Sequence, residues 1–175
     1  MLIRRLFCAV SMMCGLMALP AHAQTAKASL KDAQGKDIGQ VQLTQTPQGV
    51  LLKMTLKGAP AGERAFHIHA VGKCEPPFTS AGPHFNPASH KHGMEAKEGA
   101  HAGDMPNLHI PVNGDLVIEI ANPMISLVKG QPNSLFDADG SAIIVHGNPD
   151  QGITGEARSG VSGGPRVACG VIEKK

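Results

Sequence analysis

Apolar and polar residues alternate with a period of two along most of this chain, and helical periodicity is almost nowhere to be found. Val41-Gln42-Leu43-Thr44 is the cleanest case, with one apolar and one polar face, as a half-buried strand requires. Strand-like runs cover Ala26 to Leu30, Ile38 to Thr46, Val50 to Lys57, Arg64 to Ala70, Leu116 to Ile120, Ala142 to His146 and Arg166 to Ile172. Asn113-Gly114 lies between Leu108–Val112 and Leu116–Ile120 and predicts a hairpin there, since both positions tolerate positive φ. With 21 Gly and 13 Pro punctuating short strands, the pattern predicts an all-β protein, an antiparallel sandwich or barrel.

Two segments do not read as strands. Gly72 to Asn107 is rich in Pro, Gly, His and Lys, and Gly147 to Pro165 is Gly-rich with little apolar content. Loops of this length within a compact domain are usually functional. Both flank histidine-bearing strands, so they are expected to form the walls of a site. No internal repeat or second domain is visible.

The first residues have a different character. Arg4 and Arg5 precede an uncharged apolar stretch from Leu6 to Leu19, and Ala21-His22-Ala23 offers an A-x-A cleavage site before Gln24. The apolar stretch is too short to span a bilayer. Residues 1–23 therefore read as a signal peptide, and residues 24–175 as one exported domain with no stable membrane insertion. Removing Arg4 and Arg5 from the 16 basic residues leaves 14 against 14 acidic, so the mature charge is formally zero and nothing points to nucleic acid. Of the four cysteines only Cys74 and Cys169 survive cleavage, and an exported pair is expected to form a disulfide.

Chemistry is concentrated in histidine. In Ala65-Phe66-His67-Ile68-His69, strand alternation places both imidazoles on one face and Phe66 and Ile68 on the other. The apolar face belongs to the core, so the two rings are expected to project outward as a pair able to hold one ion. His146 repeats the logic opposite Ile143 and Val145. Imidazole suits copper or zinc, whereas calcium and magnesium demand oxygen. A second set, His84, His92, His101 and Asp104, supplies three nitrogens and one oxygen, which fits a tetrahedral zinc site. Counting His84 in both sets gives seven ligands for two adjacent ions. His90 neighbours His92 and could replace it, while His109 reads as a surface histidine.

At these motifs the chain resembles the copper/zinc superoxide dismutases of the bacterial exported type. The likeness is carried by Phe66-His-Ile-His69, Ser80-Ala-Gly-Pro-His-Phe-Asn-Pro87, His101-Ala-Gly-Asp104, Ile144-Val-His146 and Gly164-Pro-Arg-Val-Ala-Cys-Gly-Val-Ile172. It implies an eight-stranded Greek-key β-sandwich or barrel with two long functional loops. It implies one copper per subunit on His67, His69, His84 and His146, and one zinc on His84, His92, His101 and Asp104, bridged by His84 as an imidazolate. It further implies that Asp150 hydrogen-bonds ligands of both ions and that Arg166 positions the anion. The activity implied is dismutation of superoxide to dioxygen and hydrogen peroxide by a redox-cycling copper beside a structural zinc, in the periplasm.

Some features depart from the family pattern. The loop from Asn148 to Pro165 is shorter than its eukaryotic counterpart and carries only Asp150, Glu156 and Arg158 as charges, so Lys73, Lys91 or Lys97 could steer the anion instead. There is no Trp or Tyr, the aromatics that bacterial dimers of the family commonly place at their contact, and the segment between His69 and Cys74 is short. Monomer and homodimer both stay open. An exported metal carrier on the same fold is the main alternative, but such relatives usually lose a ligand, the bridging histidine or the arginine, and here all are present.

Overall fold

The computed structural model describes residues 23–155 and 160–175. The expected signal peptide lies outside these residues save for Ala23, as do Glu156 and Arg158. Ten strands follow in order: β1 (Thr25–Asp32), β2 (Asp37–Thr46), β3 (Gly49–Leu56), β4 (Gly62–Arg64), β5 (Phe66–His69), β6 (Leu108–Ile110), β7 (Leu116–Asn122), β8 (Ala142–His146), β9 (Arg166–Val171) and β10 (Glu173–Lys174). Only Ala65 separates β4 from β5 and only Ile172 separates β9 from β10, so the ten segments make eight strands. The sole described helical element is a single 3-10 turn, Thr79–Ala81. No described helix is long and apolar enough to cross a membrane.

Pairing is antiparallel throughout the sheets, in the order β5-β8-β9-β1-β2-β3-β7, with β10 on β1 and β4 on β6. Strands β1, β2, β3 and β7 form because they alternate, whereas β8 is buried throughout. In β1, Ala26, Ala28 and Leu30 are buried while Thr25, Lys27 and Ser29 face solvent. In β3, Val50, Leu52, Met54 and Leu56 are buried in the same rhythm. The rhythm slips in β2, where Ile38 and Val41 are both buried at a spacing of three. Leu30 opposes Gly39 and Lys31 opposes Asp37, so Ile38 is an extra residue in a β-bulge, which resets the phase. Gly39 is required there, because a Cβ would lie 2.2 Å from the Thr55 carbonyl oxygen.

The expected hairpin at Asn113-Gly114 is not formed. The turn itself exists, with Gly114 at φ 78° and its N–H donating to Pro111 O at 2.8 Å. Its two strands then part: β6 pairs with β4, and β7 pairs with β3 at the far end of the main sheet. Gly114 packs so tightly on Ala59 that a Cβ would sit 2.6 Å from the Ala59 carbonyl oxygen. The glycine therefore serves a crossing between layers, and such a connection between non-neighbours is what makes the topology a Greek key.

A third long connection joins β7 to β8. It carries Ile125, Leu127 and Leu135 into the main core, and Leu127 N–H donates to Gln45 Oε1 at 2.7 Å. A smaller cluster of Phe78, Ala81, Ala142, Ile144 and Cys169 packs on the other face of β8. That second cluster underlies the site.

Candidate metal centre

Strand β5 alternates as expected, with Phe66 and Ile68 in the main core, but His67 and His69 do not project into solvent. Both are 0 % exposed. The two long loops fold over the polar face of the strand, so its four residues are buried on both sides. Main-chain bonds hold the loop there: Ile68 N–H donates to Gly103 O at 2.9 Å, and Phe85 N–H donates to Ile68 O at 2.8 Å. Gly103 must be glycine, since a Cβ would fall 2.2 Å from the Ile68 carbonyl oxygen. These bonds set His84 beside His69 and Asp104 beside His67 as isolated bridges. The loop residues are thus drawn to the strand by its unpaired edge.

His67, His69, His84 and His146 form one cluster, in which one ligand atom from each lies within 4.8 Å of the others. Ring protonation follows from the partners. His69 Nδ1 faces Gly82 O at 2.8 Å, and His146 Nδ1 faces Gly164 O at 3.1 Å; a carbonyl only accepts, so each Nδ1 carries the proton. His67 Nε2 faces Asp150 Oδ2 at 2.6 Å, which places its proton on Nε2. The opposite nitrogens, His67 Nδ1, His69 Nε2 and His146 Nε2, are buried without any hydrogen-bond partner, and among the described residues only Ser141 Oγ shares that condition. A buried lone pair without a donor is costly. Three of them converging in one place fit a cation.

The second cluster joins His84, His92, His101 and Asp104 within the same 4.8 Å limit. Asp104 Oδ1 lies 2.7 Å from His84 Nδ1 and 3.2 Å from His92 Nδ1, while His101 Nδ1 and His84 Nδ1 are 3.4 Å apart. Three Nδ1 atoms crowd one carboxylate, a donor set that fits a small tetrahedral cation. Asp104 Oδ2 accepts the N–H groups of Gly93 and His101, each at 3.0 Å, which holds the carboxylate still. With Nδ1 committed here, His84 has Nε2 left for the first cluster, so one ring can serve both. Asp150 spans the pair from behind, contacting His92 Nε2 at 3.2 Å as well as His67.

Burial sets the electrostatics. It pushes His84 down to about 4 against the pull of Asp104, pushes His146 down to about 3 with help from neighbouring rings, and holds His69 well below its ordinary value. Burial also opposes charge on His92, but the hydrogen bonds it donates to Asp104 and Asp150 outweigh it and raise this ring to about 9. The Asp104 and Asp150 carboxyls are held well below the usual range, since their histidine hydrogen bonds overcome desolvation.

Arg166 reaches a cleft that His84 and His146 also line. Its Nη1 donates to Phe78 O at 2.6 Å and its Nη2 to Gly82 O at 2.7 Å, so the guanidinium is braced against the loop and only half-buried. The Cys74–Cys169 disulfide ties the same loop to β9, with Cα atoms 5.7 Å apart. Lys91 lines a neighbouring groove with Arg166, whereas Lys73 pairs with Glu75 at 3.0 Å on the surface and Lys97 is exposed. His90 stays outside both clusters, with Nδ1 3.1 Å from Ala100 O, and His109 is exposed near Glu63. Asn107, which bonds the main chain of Asp150, went unseen in the sequence. Its place three residues beyond Asp104 is the only sequence cue, and a weak one.

Comparison with known proteins agrees with this geometry. A family model described as copper/zinc superoxide dismutase matches residues 38–172. Superoxide dismutase (Cu-Zn) 1 of Aquifex aeolicus is 42 % identical over 165 residues, covering 92 % of this chain and 96 % of that protein. A Cu-Zn superoxide dismutase of Caulobacter vibrioides is 44 % identical over 153 residues, covering 85 % of this chain and 86 % of its own. Among solved structures, a SOD-like protein from Bacillus subtilis superposes with a TM-score of 0.77 at 32 % identity, covering 83 % of this chain and 96 % of the other.

Proposed function

The chain belongs to the copper/zinc superoxide dismutase family, and from that premise we propose that it is an exported periplasmic enzyme whose copper is held by His67, His69, His84 and His146 and whose zinc is held by His84, His92, His101 and Asp104. The reaction is dismutation: two superoxide anions and two protons give one dioxygen and one hydrogen peroxide. Copper, when bound, supplies the one-electron chemistry, and zinc, which has no redox chemistry, supplies charge and rigidity.

The chain's own residues do the rest. Arg166 presents a fixed fork of donors and a permanent positive charge at the cleft, which suits a small anion. The mature chain is formally neutral, so attraction of the substrate must be local. His84 lines the cleft floor and can hold a proton at Nε2 for the peroxide product. Asp150 orients one ring of each cluster, which fixes the tautomer of His67 and raises its strength as a ligand. The single observation that carries the reading is the convergence of three buried, partnerless imidazole nitrogens beside a second nitrogen-and-carboxylate set.

A superoxide-consumption assay on the mature chain loaded with copper and zinc, run beside metal analysis, tests it. Consumption with one ion of each kind per chain is expected; both ions bound without consumption would instead make the chain a metal carrier. Export is supported by Arg4, Arg5 and the apolar stretch from Leu6 to Leu19 ahead of Ala23, and by a disulfide that an oxidising compartment preserves. N-terminal sequencing of the envelope fraction is expected to begin at Gln24.

A further inference from the structure

Asn107 belongs to neither cluster and stands directly before β6. Its side chain imitates a peptide group against the main chain of Asp150. Nδ2 donates to Asp150 O at 2.8 Å, and Oδ1 accepts the Asp150 N–H at 2.8 Å. Only one orientation of the amide satisfies both groups, because the carbonyl can only accept and the N–H can only donate. The bond pair joins a rigid element to a soft one. Asn107 is followed by Leu108, fully buried in a strand that pairs with β4. Asp150 sits in the Gly-rich segment after β8, which has little apolar side chain of its own to anchor it.

The Asp150 carboxylate touches His67 Nε2 at 2.6 Å and His92 Nε2 at 3.2 Å, one ring from each cluster. Its reach to both depends on where its main chain is held. We infer that Asn107 is a positioning residue for both metal sites: by clamping the Asp150 main chain it sets one carboxylate against a ligand of each ion. This rests on the reading that the clusters hold copper and zinc. Its consequence is specific, since loosening a residue that contacts neither ion should loosen both together.

The test uses the mature chain loaded with copper and zinc and challenged with EDTA, with release of each ion followed separately and the Cu(II) paramagnetic resonance spectrum recorded. Asn107→Ala is expected to speed release of both ions about ten-fold, the lower end of what loss of a ligand-orienting partner does, and to shift the Cu(II) spectrum through His67. In an Asp150→Ala background the same substitution is expected to add little, because its effect runs through that carboxylate. Should alanine prevent folding, Asn107→Asp carries the same comparison, since it keeps an acceptor for the Asp150 N–H but turns a carboxylate toward the Asp150 carbonyl. Unchanged release in folded variants, faster release of one ion alone, or an equal fold-change in the Asp150→Ala background would overturn the inference. A parent chain that takes up neither ion would overturn the metal reading itself and this inference with it; a parent that binds both while the variants behave like it overturns the inference alone.

Discussion

Arg166 and His69 meet at one atom. The Gly82 carbonyl oxygen accepts from Arg166 Nη2 at 2.7 Å and from His69 Nδ1 at 2.8 Å. The same carbonyl therefore fixes the cation at the mouth of the cleft and the tautomer of a ring whose Nε2 is buried without a partner. The position of the Arg166 guanidinium and the orientation of the His69 ring are mechanically linked through Gly82, in a loop that the Cys74–Cys169 disulfide fastens to β9.

Removing the guanidinium should separate attraction from metal binding. Arg166→Ile is expected to keep both ions, because His69 retains its bond to Gly82. The dismutation rate should fall by one to two orders of magnitude, about 1.4–3 kcal/mol for the loss of a charged contact to the anion. Its dependence on ionic strength should weaken as well. Stopped-flow rates at low and high salt, beside metal analysis, check this; an unchanged rate and salt dependence would remove Arg166 from the mechanism.

The two clusters should come apart by mutation. His146 belongs to the first cluster alone, so His146→Ala leaves His84, His92, His101 and Asp104 untouched. Zinc is expected to stay bound while dismutation is abolished. Near-normal activity in a copper-loaded variant would overturn the copper assignment.

Loss of the disulfide should weaken fold and site together. The bridge closes a loop with a sequence separation of 95 residues, for which chain entropy gives about 4–5 kcal/mol. Cys74→Ser is therefore expected to lower Tm by roughly 8–20 °C. Activity should fall too, since Phe78 and Gly82, which brace Arg166, lie in the freed loop. Calorimetry and rate measurement check the two effects; an unchanged Tm would count against any stabilising role.

The metal-free chain should be sensitive to acid well above the carboxylate range. Burial holds His84 at about 4 and His146 at about 3, whereas both titrate near 6.5 once unfolded. Between those values the unfolded chain binds more protons, so stability falls as pH falls from 6.5. Asp104 and Asp150, held low in the fold, add in the same direction once the pH enters their unfolded range near 3.8. His92 has the opposite sign: raised to about 9, its contribution is complete below 6.5 and is lost as pH rises through 9. Melting curves in EDTA across this range are expected to show the acid loss, and a Tm that is flat between pH 6.5 and 4 would contradict the burial of these rings.

Alternation, ligand chemistry and cysteine pairing are local properties of this chain, and they were legible in it. The period-two runs mark the strands because half-burial imposes that pattern wherever a strand lies on a core. The residue types at His67, His69, His84, His92, His101, Asp104 and His146 specify a metal centre because few other arrangements need so many imidazoles. What the tertiary structure alone decided is where the partners come from. The rings of β5 are buried because residues 85 and 103 bond its free edge and fold a loop across it, a contact between distant segments that no local pattern encodes. Asn113-Gly114 specifies a turn through its backbone freedom, but the partners of the strands it joins are chosen by the Greek-key crossing. Asn107 looks like any polar residue before a strand until folding brings Asp150 within 2.8 Å of it. Residue type and spacing determined the chemistry; only long-range packing could aim it.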